Sequence, residues 1–272
     1  RRTHLWEDDD KCYWLDPTDV SAMNWLMSIA EELKALGFDT VIEAALGADM
    51  VAYRESKEVS ETDSFVTSSC CPAFVSYVDK QFPQLKDHVS HNLSPMAALG
   101  KYIKEQEPDC KIVFVGPCTS KKMEMQREEV RPYVDSVITF EELQALFDSR
   151  DIVAQSFEDI PLNDASRFGR IFARSGGLTE AVAQGLKEHG ADDFEYKPVT
   201  CDGIEACRAA LLKANKGILN GNFIEGMACE GGCVGGAGCL THAEKNTKAV
   251  NQHAATSDKN TITESVQRMD FQ

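Results

Sequence analysis

The chain has 272 residues, 43% of them hydrophobic and 26% charged, with a formal net charge of −16. That length suits one large domain or two joined lobes with ample core. The acidity argues against a nucleic-acid partner, which needs a cationic surface, and no run of about 18 apolar residues offers a membrane span.

Arg1 to Asp10 carries basic residues but no apolar h-region, so no signal peptide is expected. Ten cysteines in such a chain favour metal, cluster or redox roles over a disulfide framework, in a reducing cytoplasm. Residues 1–18 are polar and aromatic without periodicity and read as an N-terminal extension, with Cys12 isolated in it. Asp19 opens a helical pattern through Trp25, Leu26, Ile29, Ala30, Leu33 and Leu36, stopped by Gly37. Phe38 to Leu46 reads as a buried strand. A helix carrying Glu55 and Glu58 follows, and their spacing of three places both carboxylates on one face.

Ser64 to Thr67 is a short strand leading into Cys70, Cys71 and Pro72. Proline suits the first position of the next helix, Ala73 to Phe82, so Cys71 lies at a helix N-terminus that favours a thiolate or an anionic cluster. Ser94 and Pro95 start a helix to about Glu105. Lys111 to Val115 is a buried strand, again with a cysteine, Cys118, just beyond its carboxyl end, where open α/β sheets place their sites. Val134 to Ile138 is a strand, and Thr139 with Glu142 forms a capping box for a helix to Phe147. Asp151 to Asp164 reads as an acidic loop. A helix over Leu178–Glu188, a strand over Tyr196–Thr200 and a helix over Asp202–Ala214 precede the glycine-rich stretch Phe223–Cys239. Residues 241–272 read as a polar tail, loose from Thr241 to Lys259, with a short helix capped by Thr261 and Glu264. The alternation predicts an α/β fold: two lobes of mostly parallel β-sheet flanked by helices, with a site between them.

The candidate ligands are Cys70, Cys71, Cys118, Cys229 and Cys233, carried on three separate segments. A 4Fe-4S cluster needs four thiolates. Structural zinc sites usually use paired knuckles two to four residues apart, so ligands spread over roughly 160 residues suit a cluster between lobes better. Zinc and unliganded core cysteines remain open alternatives at this point. Cys110, Cys201 and Cys207 read as core residues, and Cys239 as structural.

Three motifs, Thr67-Ser68-Ser69-Cys70-Cys71-Pro72, Gly116-Pro117-Cys118-Thr119-Ser120-Lys121-Lys122-Met123-Glu124 and Glu225-Gly226-Met227-Ala228-Cys229-Glu230-Gly231-Gly232-Cys233, stand in that order along the chain. Together they resemble the three signatures of the catalytic domain of FeFe (iron-only) hydrogenases, over roughly residues 37–240, within a two-lobed domain set at 19–240. The resemblance implies the H-cluster, a 4Fe-4S cubane joined through a cysteine sulfur to a diiron subsite with carbonyl, cyanide and azadithiolate ligands. It implies Cys71, Cys118, Cys229 and Cys233 as cubane ligands, with Cys233 bridging. It gives Cys70 as the proton-relay cysteine, with Glu55, Ser90 and Glu58 connecting it to solvent. Lys121, Met227 and Pro117 are implied to touch the cofactor.

The implied activity is the reversible interconversion of protons and electrons with dihydrogen in an anaerobic setting, with ferredoxin as carrier and dedicated proteins loading the cofactor. A lysine-rich dock for the carrier is expected around Lys101, Lys104, Lys121 and Lys122. Two other readings share the motifs: a hydrogen sensor, and an iron–sulfur scaffold without the diiron unit. Departures from the family pattern are Gly116, where many members have methionine, and Ala73-Phe74, where glycine–tryptophan is usual. An alanine–proline loop that members carry before the first helix has no match here, and no CxxCxxC series for accessory clusters precedes the domain.

Overall fold

The computed structural model describes residues 5–7, 13–15, 30–152, 162–242 and 245–267. One sheet has three parallel strands in the order β3 (Val66–Thr67), β7 (Phe223–Met227) and β6 (Pro198–Asp202). A second sheet pairs β4 (Val113–Gly116) in parallel with β5 (Ser136–Thr139). With helices around them, these sheets give the α/β architecture that the alternation predicts.

Strand β7, the middle of the larger sheet, has no counterpart among the sequence-predicted strands. All five of its residues are buried, as in strands covered on both faces, and Glu225 interrupts the apolar run that would have marked it. The N-terminal extension also differs from expectation, since β1 (Leu5–Glu7) pairs antiparallel with β2 (Tyr13–Leu15). The expected strand over Phe38–Leu46 is absent: the chain is irregular until α2 (Ala44–Glu61) begins. Glu43 anchors that start, its carboxylate accepting the Asp164 and Ala165 amides at 2.8 and 3.1 Å and pairing with Arg170.

The first helix, α1 (Ala30–Ala35), closes at Gly37 as predicted: Phe38 donates back to the Leu33 carbonyl, and Gly37 has φ +102°. The predicted start of that helix at Asp19, its apolar positions Trp25, Leu26 and Ile29, Cys12, and residues 153–161 of the acidic loop lie outside the described residues. Helices α3 (Pro72–Gln81), α4 (Pro95–Gln106), α5 (Ser120–Glu124) and α6 (Phe140–Ser149) follow, the last opened by the predicted Thr139–Glu142 capping box. A short α7 (Arg167–Ile171), not anticipated, is capped by Ser166. Then come α8 (Gly177–Glu188) and α9 (Ile204–Asn215).

The C-terminal stretch is not loose. Lys245–Ala254 forms α10, which packs on α7, and Ile262–Val266 forms α11, which packs on α2 and α8. Its polar composition reflects a one-sided helix whose few apolar residues, such as Ala249, are buried. Helix α2 is central: α4, α7, α8 and α11 all lie against it. Its face enters the main core with Leu178, Val182, Phe223, Met227 and Ile262, while Phe74, Cys207, Leu211 and Ile224 form a second core beneath α3 and α9. Ile262 is fully buried in the main core. Ile262→Ala is therefore expected to lower unfolding stability by about 2–4 kcal/mol, read from urea denaturation. A change within error would show that the C-terminal segment is not part of the folded unit.

Candidate functional site

Each cysteine-bearing segment leaves the carboxyl end of a parallel strand. Cys70 and Cys71 follow β3, Cys118 follows β4, and Cys229 and Cys233 follow β7. In-register pairing of Val66 with Phe223 and Thr67 with Ile224 sets the first and third segments side by side. The Gly226 amide then donates to Ser68 Oγ at 3.0 Å. Cys71 is the N-cap residue of α3 with Pro72 behind it, as the sequence predicts.

The second segment joins the third through Pro117. Its carbonyl accepts the Gly238 amide at 2.9 Å, and a Cβ at Gly236 would lie 2.4 Å from the same oxygen. On the other side the Gly231 carbonyl and Val234 amide bond to Ser175 and Ala173. Gly232, with φ +85°, would place a Cβ 2.6 Å from the Ser175 nitrogen. Only glycine allows so close a crossing of two backbones. The glycines of this loop thus fasten it to neighbouring chain as well as leaving room around the sulfurs.

Cys71, Cys118, Cys229 and Cys233 are all partly buried free thiols. Burial pushes the Cys229 and Cys233 thiols up, and the neighbouring Cys71 and Cys118 sulfurs push them further. Four grouped thiols that repel one another as thiolates suit a cationic group that compensates their charge. Among the described residues, no three His, Cys, Asp or Glu side chains stand where they could hold one metal ion. Cys70 differs from these four. It is buried, and its thiol is held well above its ordinary value by burial, then by the charge of Glu55 and by Cys71 and Cys233. Such a sulfur keeps its proton.

Lys121 is buried, and its Nζ donates to Glu124 Oε2 at 2.6 Å and to the Cys70 carbonyl at 3.2 Å. The pairing answers the cost of a buried cation, and it orients the ammonium beside the Cys70 turn. Met227 is 2% exposed at the end of β7, and its carbonyl accepts the Cys207 thiol at 3.4 Å. Phe74 packs its ring where a side chain at Gly226 would stand, and the Phe114 ring occupies the equivalent space at Gly116. Of the departures from the family pattern, Gly116 thus leaves its space to the Phe114 ring, and Phe74 fills the space at Gly226.

Glu55 is completely buried on α2, and neither carboxylate oxygen completes a hydrogen bond. The Ser90 hydroxyl and Ser69 amide lie near enough to ease its burial, but Ser90 Oγ is committed to Glu58 Oε2 at 2.6 Å. Burial, then the Glu58 charge, lift the Glu55 carboxyl to about 8. Glu58, one turn away on the same face, accepts Ser90 Oγ, Asn92 Nδ2 at 2.8 Å and the His91 amide at 3.0 Å. It lines a 440 Å³ surface depression with Arg54, Lys57, Glu61, Thr62, His91 and Asn92. The 89–92 segment is held in place by the Ser90 amide on the Thr67 carbonyl at 2.8 Å, and by Ser69 Oγ on the Asn92 carbonyl at 2.6 Å.

Ser90 thus bonds Glu58 and lies near Glu55, and the five cysteines sit on loops at the carboxyl ends of β3, β4 and β7. Of the lysines expected at a carrier dock, Lys121 turns inward, while Lys101, Lys104 and Lys122 pair with Glu105, Asp135 and Glu142. Three contributors, Glu124, Asn92 and Glu225, had no assigned role in the sequence. Glu225 is buried and accepts the Gly176 and Thr179 amides and the Thr179 hydroxyl within 2.6–2.7 Å, tying β7 to the start of α8. Cys239, pushed up to about 11 by burial, bonds the Val234 carbonyl at 3.4 Å, the structural role expected of it. Only Glu124 had a visible signal, its spacing of three from Lys121.

A parallel α/β scaffold that places four cysteines on loops at strand ends, beside a buried thiol and a buried carboxyl, is an arrangement suited to an iron–sulfur centre. Residues 18–237 match the family described as "Iron only hydrogenase large subunit, C-terminal domain", and the chain belongs to that family. It is 32% identical over 252 residues to iron hydrogenase 1 of Clostridium pasteurianum, covering 76% of this chain and 44% of that one. It is 26% identical over 290 residues to a cytosolic Fe-S cluster assembly factor of Yarrowia lipolytica, covering 76% and 58%. The chain thus spans about half the length of these relatives. An apo FeFe-hydrogenase variant structure from Chlamydomonas reinhardtii superposes with a TM-score of 0.71 at 21% identity, covering 89% of this chain and 82% of that one. No described helix is long and apolar enough to cross a membrane.

The Glu55 environment makes a testable statement. Its folded value of about 8 lies above the ordinary 4.5, so as pH rises the unfolded chain releases the proton first. The contribution to stability is full below about pH 4.5 and is lost as pH climbs to about 8, by a few kcal/mol in order of magnitude. Glu55→Gln is expected to flatten the stability–pH curve over that window in thermal unfolding of the cofactor-free chain. Parallel curves for the two proteins would contradict the assigned environment.

Proposed function

We propose that this chain is an FeFe-hydrogenase catalytic domain that interconverts two protons and two electrons with dihydrogen. The observation that carries this reading is the buried, partnerless Glu55 carboxyl. It stands between a thiol held protonated, Cys70, and a serine–glutamate pair that reaches the surface depression. A protein that only carried a cubane would have no use for an acid kept neutral in that position, and its burial costs stability.

In this reading Cys71, Cys118, Cys229 and Cys233 would hold the 4Fe-4S cubane, and Cys233 would also be the attachment point of the diiron subsite. The diiron subsite, when bound, supplies the chemistry that makes and breaks the bond of dihydrogen. Lys121 would offer a charge-assisted N–H to its anionic ligands, and Met227 and Pro117 would pack around it. Glu124 holds the ammonium in place while leaving a donor over, since Nζ carries three and uses two on Glu124 and the Cys70 carbonyl.

Protons move through this chain's own groups. Glu58 collects them at the surface, and the Ser90 hydroxyl accepts from Glu58 once that carboxyl is protonated. Ser90 then turns its own hydrogen toward Glu55, and each time Cys70 gives up its thiol proton on the cofactor side, Glu55 restores it. The two carboxyls sit in contrasting settings, Glu58 bonded by three donors and Glu55 completely buried with no completed hydrogen bond, which suits one to collect and the other to pass on. Electrons are exchanged with ferredoxin or a similar small carrier in an anaerobic cytoplasm, and maturation proteins install the diiron unit.

The likeness to a cluster assembly factor favours a second reading, a cubane scaffold without the diiron subsite. Hydrogen evolution with a reduced viologen separates the two. The loaded wild type is expected to evolve hydrogen, Cys70→Ala to lose at least about a hundredfold, and Cys118→Ala to lose iron and sulfide as well. Undiminished turnover in Cys70→Ala would overturn the assigned proton path.

A further inference from the structure

The outer end of the relay divides the Glu58 carboxylate into two sides. Oε2 faces inward, taking Ser90 Oγ at 2.6 Å and Asn92 Nδ2 at 2.8 Å. Oε1 faces outward, where the only partners among the described residues come from His91: its amide at 3.0 Å and its ring Nδ1 at 2.9 Å. Amide and ring meet the same oxygen, which fixes the imidazole against the carboxylate. The rest of the ring stands in water, the side chain being 87% exposed. Asn92 Nδ2 also reaches Ser90 Oγ at 2.9 Å, so consecutive residues 90, 91 and 92 all converge on Glu58.

We propose that His91 is the outermost proton-exchanging group of this relay, a positioning residue that loads Glu58 from solvent. This rests on the hydrogenase reading above. Imidazole is the side chain that most readily takes up and releases protons near neutral pH. The charged groups facing it across the depression are Arg54, Lys57, Glu58 and Glu61, all from α2, and Glu58 alone bonds to it.

The transfer balances. The imidazolium gives its Nδ1 proton to Glu58 Oε1 and becomes neutral, with hydrogen left on Nε2. Rotation of the Glu58 carboxyl carries the proton to the Ser90 side. Ser90 Oγ accepts it and releases its own hydrogen to Glu55. The exposed ring turns, takes a new proton from water and returns. Running backward, the same steps discharge protons produced by hydrogen oxidation.

The test combines two measurements on the full chain. The first follows the His91 ring nitrogens by NMR without the diiron unit. Glu58→Gln alters the oxygen that Nδ1 meets at 2.9 Å, so the Nδ1 chemical shift, which reports that hydrogen bond, is expected to change. Equal ring-nitrogen shifts in the two proteins would overturn the pairing. The second measures hydrogen evolution by the loaded enzyme. His91→Gln, which retains a donor but cannot titrate, is expected to lose about tenfold, less than a group at the reacting atoms. The loss should grow from pH 6 to pH 8 as solvent protons become scarce, and added imidazole should restore turnover. An active wild type with an unchanged His91→Gln profile would overturn the role of His91 and leave the hydrogenase reading standing. A loaded wild type that evolves no hydrogen would overturn both.

Discussion

The insertion of β7 between β3 and β6 is the constraint on which the site depends. Its register with β3 sets the Cys70–Cys71 turn beside the Cys229–Cys233 loop, and the loop then reaches across to the Pro117 carbonyl of the other sheet. Three segments far apart in sequence therefore meet without any of them being long. Parallel strands make this possible, because each releases its loop at the same edge.

Holding that arrangement requires buried charge, and the chain answers each case with a specific partner. Glu225 would be costly inside a fully buried strand, yet it accepts three donors at the start of α8. It thereby fixes the 173–176 segment that clamps the cysteine loop. Lys121 is matched by Glu124, and Glu43 by Arg170. Glu55 is the exception, with both oxygens unsatisfied. Buried polar groups elsewhere in proteins nearly always find partners, so an unsatisfied carboxyl beside a protonated thiol is set apart from the structural acids by its surroundings.

How much of this was legible in the sequence follows from where each signal resides. The cysteines, Lys121 and the two glutamates were found because motif and spacing are local properties. Turn and cap chemistry placed Gly37, Pro72, Ser94 and Thr139 for the same reason. Strand β7 was not found, because a strand buried on both faces carries no alternation, and a glutamate and a glycine broke its apolar run. Val41 and Ile42 suggested a strand where no described segment pairs with them. The polar stretch 245–254 hid a helix, since only one narrow face of α10 is buried. The roles of His91 and Asn92 were invisible for a different reason: they depend on which way a short loop turns beside β3.

The central claim is that these residues form a pocket for a diiron unit attached to a cysteine-held cubane, and infrared spectroscopy tests it most directly. The anaerobically reconstituted chain, loaded with a synthetic diiron precursor and washed free of excess, is predicted to show sharp carbonyl and cyanide bands. Those bands should be shifted from those of the free precursor, and Cys233→Ala should abolish them. A protein that binds four irons per chain yet shows no carbonyl or cyanide absorption would contradict the account and leave a cubane carrier in its place.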